Sequence, residues 1–377
     1  DAAAGGAPDQ VPDDPYRGQY LTPAAAQRIL DAPSAFFPAP VNGPDGPAAL
    51  NGRFAATPPP GTRVGRLARD FRLTPLDVEL LLIALAPDID ARFERLYGYL
   101  HDDLTRRRPT IGLALELCGL PAAGAGRFRF APSAPLVDGG LLAVREEERP
   151  LLSRPLAVPD RVVAHLLGDR EPDARLYGRA AVGRALGDGG EETVRRVAAA
   201  IRTGGGLVHL LDRGGDGGRV AVEALALTGH RPLVVDIAAV VVGPYPAELP
   251  GALALEARLG GGGTVLGPLD ALDPGQPDGA RLLRELCLAA AGTPLIVYGA
   301  MEWDPRWAPL SPVPLALPRP TAAQRARQWR RALTAAAPAR GALGAPDRAD
   351  PVDPAVRADP AGLAELAAGY RLDAPQI

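Results

Sequence analysis

A glycine-rich turn between an apolar strand and an apolar helix is the segment best suited to bind phosphate. It lies in the run LVHLLDRGGDGGRVAVEALA at residues 207–226. The backbone N–H groups of such a turn and the positive amino end of the following helix attract anions. The candidate phosphate-binding residues are Arg213, Gly214, Gly215, Gly217, Gly218, Arg219 and Val220.

This turn departs from the phosphate-binding motif G-x-x-x-x-G-K-[ST] at three positions. Gly218 is retained, whereas Arg213 stands in place of the first glycine. Arg219 replaces the lysine, and Val220 replaces the hydroxyl residue that ligates magnesium. Arginine keeps the charge but not the compact geometry of an ammonium group, and a valine side chain cannot bind a metal. We therefore expect at most weak ATP or ADP binding here, and no magnesium.

A second segment, GGTVLGPLDAL at residues 262–272, resembles the DEaDAL segment of AAA-family ATPases. Asp270 and the two residues after it match the last three residues of that segment. The resemblance places Gly267 at the metal-binding aspartate and Pro268 at the catalytic glutamate. It implies an ATPase-type fold that has lost both carboxylates. We therefore assign no catalytic residue and include Asp270 in the candidate nucleotide site.

The resemblance extends to the amino-terminal half of the chain. The run LDVELLLIALAPDIDARFERLYGYLHDDLTRRRPTIGLALEL is similar to the winged-helix domain that precedes the ATPase modules in a bacterial group of AAA-family proteins. Some of these proteins accompany phage-tail-like contractile injection systems. Near the carboxyl end, PRPTAAQRARQWRRAL and LAELAAGYRLDAPQI resemble the helical subdomain of that family. The resemblance covers residues 63–377 and implies a degenerate first module, with hydrolysis carried by a further, complete module.

Composition and periodicity divide the chain into four parts. Residues 1–62 are rich in Ala, Pro, Gly and Asp, which predicts an arm with little regular structure. Three helices, the first capped by Thr74 and the second running from about Ile89 to His101, are followed by paired strands, RFRFAP among them. This order predicts a winged-helix domain over 63–168. Strands alternate with helices over 180–318, which predicts a P-loop-type, AAA-like parallel α/β sandwich. Amphipathic helices over 319–377 predict a partial helical lid.

Three consecutive arginines, Arg106, Arg107 and Arg108, are the best nucleic-acid signal in the chain. They precede the third predicted helix, where a winged-helix protein contacts DNA phosphates. That helix, TIGLALEL, is apolar where a recognition helix carries side chains that read bases. The charge of the wing sequence REEER is balanced to slightly acidic. Protein contact or a solvated face is therefore favoured over nucleic-acid binding.

Arg306 is the candidate for a contact with a nucleotide held by a neighbouring subunit, since arginine performs that role in trans. It lies between Trp303 and Trp307 and follows Asp304 closely. Stacking on an aromatic ring or pairing with the aspartate explains it equally well.

Histidine and cysteine are too few and too scattered to predict a metal site or a disulfide. The four histidines include His209 on an apolar strand and His230 at a helix end, both expected to pack or cap. Cys118 and Cys287 lie in apolar stretches and are expected to be small core residues. Unpaired thiols suit a reducing cytoplasm, which is the compartment we predict.

Length and charge set the remaining limits. The 377 residues are 47% hydrophobic and 23% charged, enough for one large core or two modest ones. The formal net charge of -3 gives no global attraction to nucleic acid or to an anionic membrane. All 41 basic residues are arginine. Neither a signal peptide nor an apolar run long enough for a membrane span is present in the sequence, so no membrane partner is expected.

The leading hypothesis is a non-catalytic region of an AAA-family ATP-binding protein. Such a region would bind protein partners, self-associate into a ring and scaffold or regulate a ring ATPase. Two alternatives stay open. One is an active ATPase in which Arg219 replaces the motif lysine, and the other is a winged-helix DNA-binding regulator.

Overall fold

A computed structural model gives the fold of the chain. It describes residues 21–31, 58–59, 61–185, 187, 191–204, 206–213, 216–242, 247–272, 277–319, 321, 323, 326 and 330. The chain forms two compact units, a first unit of residues 1–171 and a second unit of residues 172–377. The predicted lid helices fall almost wholly outside the described residues.

The first unit is largely helical. Its helices are α1 (Pro23–Asp31), α2 (Arg63–Asp70), α3 (Pro75–Ile89), α4 (Arg92–Leu100), α5 (Ile111–Leu117), α6 (Pro135–Asp138) and α7 (Asp160–Leu167). Helix α1 lies in the arm, where little regular structure was expected. It begins after Thr22, whose Oγ1 accepts a hydrogen bond from the Ala25 N at 3.1 Å. Its buried Ala26 and its packing against α4 explain why it forms.

Helix α3 begins with the predicted N-cap, Thr74. The Asp77 N donates to Thr74 Oγ1 at 3.3 Å, and the Thr74 N donates to Asp77 Oδ2 at 2.8 Å. This reciprocal capping box satisfies amides that have no partner inside the helix. Leu80 and Leu81 are fully buried, as the helical spacing predicts. Asp90 ends the helix, and α4 begins at Arg92, three residues later than predicted.

Two short strands form the wing, which we define as residues 143–157. Strands β1 (Ala143–Val144) and β2 (Leu156–Ala157) pair antiparallel, with Ala143 opposite Ala157. A 3-10 helix, Leu151–Ser153, lies in the loop between them. The run RFRFAP is not a strand, contrary to the prediction. Its first four residues end the 3-10 helix Ala125–Phe130, where Arg129 Nε donates to Asp77 Oδ1 at 2.7 Å.

The second unit is a sheet covered by helices. Its strands are β3 (Ala180–Val182), β4 (Leu207–Leu211), β5 (Arg231–Asp236), β6 (Gly262–Gly267), β7 (Leu295–Gly299) and β8 (Val313–Ala316). Its helices are α8 (Glu192–Arg202), α9 (Gly217–Leu227), α10 (Ile237–Val241), α11 (Leu249–Leu259) and α12 (Pro277–Ala289). Two 3-10 helices, Ala174–Leu176 and Leu269–Ala271, complete the described elements.

The sheet is mixed rather than purely parallel, which corrects the prediction. Its strand order is β3-β5-β6-β7-β4-β8. Strands β4 to β8 run parallel, and β3 pairs antiparallel to β5 at one edge. The short β3 adds an antiparallel edge strand to an otherwise parallel sheet, a common arrangement in α/β folds.

The central strands explain the long apolar runs of the sequence. Strands β6 and β7 are buried throughout, as expected for parallel strands covered on both faces. The chain passes from β4 to β5 in one direction across the sheet and from β7 to β8 in the other. Ligands of open α/β sheets bind beside the carboxyl ends of strands at such a reversal. The glycine-rich turn follows β4 at this position.

Candidate functional site

The first amide of α9 is occupied by a carboxylate of the chain itself. The Asp212 residue is only 7% exposed, and its Oδ2 accepts a hydrogen bond from the Gly217 N at 2.6 Å. The Asp212 N donates to the Gly299 O at 2.8 Å, which attaches the turn to β7. A Cβ atom at Gly217 would lie 2.8 Å from Asp212 Oδ2, so this approach requires glycine. One N–H group that could bind phosphate is therefore used internally.

Arg219 points from the first turn of α9 to two carboxylates. Its Nε and Nη2 donate to the two carboxylate oxygens of Asp216 at 2.7 and 2.6 Å. Nη2 also donates to Glu191 Oε2 at 2.8 Å, and the side chain is 11% exposed. Burial disfavours the charged guanidinium, but the hydrogen bonds and charges of Asp216 and Glu191 outweigh it and raise the pKa of Arg219. The charge of this arginine is thus compensated within the protein.

Tyr298 fills the space between the turn and the end of β6. A Cβ atom at Gly217 would lie 2.9 Å from Tyr298 Cβ, and one at Gly218 would lie 3.1 Å from Tyr298 Oη. A Cβ atom at Gly267 would overlap the same ring. Burial, together with the charges of Asp236 and Asp212, raises the pKa of Tyr298 to about 12. A neutral phenol therefore lies against the three glycines.

The other residues predicted in the turn differ in their surroundings. Gly214 and Gly215 lie outside the described residues. Arg213 is exposed and lies 3.8 Å from the carboxylate of Glu302. Val220 is buried in the core and offers no hydroxyl to a cation. The nucleotide contacts assigned to these positions stay a prediction.

Asp270 lies in the 3-10 helix that follows β6. It is exposed, and its two carboxylate oxygens accept from the Ala300 N at 3.1 and 3.0 Å. It therefore joins the segment after β6 to the segment after β7. Gly267 ends β6 and Pro268 follows it, so no carboxylate stands at either of the positions where the AAA resemblance places one.

Sequence reasoning missed four residues of this cluster: Asp212, Asp216, Glu191 and Tyr298. Two aspartates within a turn expected to bind an anion are a signal that the sequence does contain. Glu191 and Tyr298 come from distant segments, and no local pattern places them beside Arg219. In this cluster the protein's own side chains pack against the turn that follows β4, and we call it the filled turn.

Carboxylates also compensate the three arginines that precede α5. Arg106 Nε lies 3.1 Å from Asp103 Oδ2, and Arg107 Nη1 lies 3.5 Å from Glu94 Oε2. The two terminal nitrogens of Arg108 donate to the two carboxylate oxygens of Asp88 at 3.0 and 2.7 Å. These pairs weaken the positive field that phosphates would meet.

Helix α5 itself is poorly suited to reading bases. Four of its seven residues are buried: Ile111, Leu113, Ala114 and Leu115. Three consecutive glutamates of the wing, at residues 146–148, are exposed. A buried helix and an acidic wing both disfavour insertion into a DNA groove.

Arg306 makes an ion pair within its own loop. Its Nε and Nη2 donate to the carboxylate of Asp304, and the Nη2 distance is 2.5 Å. Trp303 packs against Trp307 with their ring centroids 5.4 Å apart. The contact with a neighbouring subunit predicted for Arg306 stays a prediction.

The remaining candidates are packing residues. His209 is buried with its ring centroid 5.5 Å from that of Trp303, and burial lowers its pKa. Burial also lowers the pKa of His230, whose Nδ1 lies 2.9 Å from Thr228 Oγ1. Burial raises the pKa of the Cys287 thiol to about 12. Neither histidine nor this thiol has the surroundings of a nucleophile or base.

Metal and membrane signals are absent from the part of the chain that the structure describes. No group of three or more His, Cys, Asp or Glu side chains there could hold a metal ion. No described helix combines the length and the apolarity needed to cross a bilayer.

Cys118, half-buried beside Glu79, has a thiol pKa raised to about 11 by burial and by that glutamate.

Comparison with known families identifies one part of the chain. Residues 48–180 match the family model described as winged helix domain, variant. The first unit therefore contains a winged-helix domain, which agrees with its order of helices followed by a wing. No curated protein matches the chain.

Proposed function

We propose that this chain is a non-catalytic scaffold that binds protein partners through a winged-helix domain and an α/β unit with a filled phosphate-binding turn. The observation that carries the proposal is the position of Arg219. Its Nε and Nη2 donate to Asp216 and Glu191, while Asp212 occupies the Gly217 amide. On this proposal the turn stands at the position of a phosphate site but has lost its binding capacity.

Electrostatics favours this reading over weak nucleotide binding. A triphosphate entering the turn would approach Asp212, Asp216 and Glu191, and it would have to displace Asp212 from Gly217. Two like charges 4 Å apart repel by about 4 kcal/mol at an effective dielectric constant near 20. One compensated arginine does not offset several such contacts.

An AAA-type ancestry accounts for the shape of the turn. It is supported by the five parallel strands, by the turn's position after β4 and by the resemblance around Asp270. On this reading, Tyr298 and Gly267 occupy the region where a magnesium ion would need carboxylates, and Val220 cannot replace the missing hydroxyl. Assembly into a ring, with hydrolysis carried by another module, belongs to the same proposal.

Calorimetric titration of the chain with ATP, with and without magnesium, tests this function. We expect no saturable binding tighter than about 1 mM, because the anion site is filled. Binding in the micromolar range that is lost in Arg219→Met, yet kept in Arg195→Met, would refute the filled turn and favour the active-ATPase alternative. Arg195 is a suitable control because its ion pair with Glu192 is exposed on α8.

A DNA-binding regulator is the second candidate, and the match to a winged-helix domain is the observation that favours it. The ion pairs of Arg106, Arg107 and Arg108 oppose it. We expect a fluorescein-labelled duplex to show no salt-dependent rise in anisotropy at low ionic strength. A rise that disappears when the three arginines are changed to serine would replace the scaffold proposal with this one.

A further inference from the structure

The first unit contains an apolar pocket that none of its own described side chains fills. The pocket has a volume of about 510 Å³ and lies between the 3-10 helix Ala125–Phe130 and the wing. Its apolar walls include Phe130, Val137, Val144 and Leu151. We call it the wing pocket. Binding pockets for a ligand or an anchoring side chain commonly have this size and apolar lining.

Two arginines give the pocket an uncompensated positive charge. The Arg127 side chain makes no hydrogen bond or ion pair with any described residue. The Arg154 side chain makes one hydrogen bond, from its Nε to the Arg149 O at 2.8 Å, and no ion pair within the described part of the chain. Glu147, also in the lining, is the one acidic residue there. The polar lining thus carries one net positive charge, unlike the paired arginines before α5.

A large apolar side chain stands exposed at the same place. Phe128 belongs to the pocket lining and is 73% exposed. An exposed ring lacks the roughly 1.5–3 kcal/mol of stabilisation that its burial would give. Exposed aromatic residues and arginines around an apolar pocket are the residue types that dominate binding energy at protein interfaces.

We infer that the wing pocket binds a peptide segment of a partner protein that carries an aromatic or branched aliphatic side chain next to a carboxylate. The apolar side chain enters between Val137 and Leu151, Phe128 covers it, and the carboxylate pairs with Arg127 or Arg154. This inference rests on the proposed scaffold role, for which it supplies the class of partner. The exposed glutamates of the wing disfavour a polyanion such as nucleic acid at the same position.

A phage-displayed library of random heptapeptides, selected against the full chain, tests the inference. We expect enriched peptides to combine an aromatic or branched aliphatic residue with Asp or Glu one or two positions away. Fluorescein-labelled copies of these peptides should bind Phe128→Ser and Arg127→Glu at least about tenfold more weakly than the unchanged chain. Arg145→Glu makes the same charge change on the wing outside the pocket and should alter affinity by less than about twofold.

Several results would overturn the inference. One such result is the selection of peptides without an acidic residue. Another is a selected peptide that binds Phe128→Ser as tightly as it binds the unchanged chain. A photo-crosslinking amino acid placed at position 128 should capture the selected peptide. Crosslinking within the chain, or to a second copy seen as a doubled mass, would show another occupant and refute the proposal. ATP binding by a chain that still binds these peptides would overturn the filled turn alone.

Discussion

Replacing Arg219 by methionine is expected to lower the free energy of unfolding of the second unit by about 3 kcal/mol near neutral pH. Methionine keeps much of the apolar volume but removes the charge that compensates Asp216 and Glu191. Both carboxylates then remain close together and partly buried, with Asp212 nearby. Urea denaturation followed by tryptophan fluorescence measures the loss, because Trp303 and Trp307 report on this unit.

The loss should depend on pH in a defined direction. Burial is the largest cause of the raised pKa of Asp216, and Arg219 opposes it. Without that arginine the folded-state pKa rises further above the unfolded value of 3.8. A carboxyl whose pKa is raised by folding destabilises the fold fully above its folded-state pKa, and this destabilisation is lost as the pH falls from there to the unfolded-state pKa. The difference between the variant and the unchanged chain should therefore shrink as the pH falls towards 4.

Arg195→Met is the matched control for this experiment. It removes an ion pair of the same type from α8, but its side chain is 57% exposed and that of Glu192 is 74% exposed. We expect a change of at most about 0.5 kcal/mol. A similar loss of unfolding free energy in both variants would contradict the role given to Arg219 in the filled turn. So would a loss in Arg219→Met that does not vary with pH.

Replacing Asp77 by alanine is expected to destabilise the first unit by about 3 kcal/mol or more. The Asp77 side chain is fully buried and accepts from the Thr74 N at 2.8 Å, which completes the capping box of α3. It also forms an ion pair with Arg129 of the 3-10 helix. The substitution thus removes a cap and leaves a partly buried guanidinium unpaired.

Urea denaturation followed by far-ultraviolet circular dichroism, with hydrogen exchange of the α3 amides, measures this loss. Asp138→Ala is the control, since Asp138 is an exposed aspartate at the end of α6. It should change the free energy of unfolding by no more than about 0.5 kcal/mol. Equal stability of Asp77→Ala and Asp138→Ala would show that the link from Asp77 to Arg129 contributes little.

Local sequence patterns predicted much of the fold. The capping residue Thr74 and the apolar helix behind it follow from short-range chemistry, and the alternation of strands with helices follows from burial. The 3-10 helix Ala125–Phe130 escaped prediction because alternating arginine and phenylalanine mimic a strand. Its conformation depends on Asp77, which lies far away in the sequence and binds Arg129.

The position of the candidate site was predictable from the sequence, but the side chains that fill it were not. Glycine spacing indicated the turn after β4, and the replacement of the motif lysine by Arg219 indicated weakened phosphate binding. What fills the turn could not be predicted, because Glu191 and Tyr298 reach it only through the packing of α8 and β7. The ion pairs of the three arginines at 106–108 could not be predicted for a similar reason. Two of their carboxylate partners lie on preceding helices.

The most direct test is the amide signal of Gly217 in a transverse-relaxation-optimised ¹H–¹⁵N spectrum. The Asp212 carboxylate accepts from this N–H at 2.6 Å, so its proton resonance should lie downfield and stay unchanged when ATP and magnesium are added. A Gly217 resonance that moves and saturates with ATP would mean that phosphate displaces Asp212. That result would contradict the filled turn and, with it, the non-catalytic role.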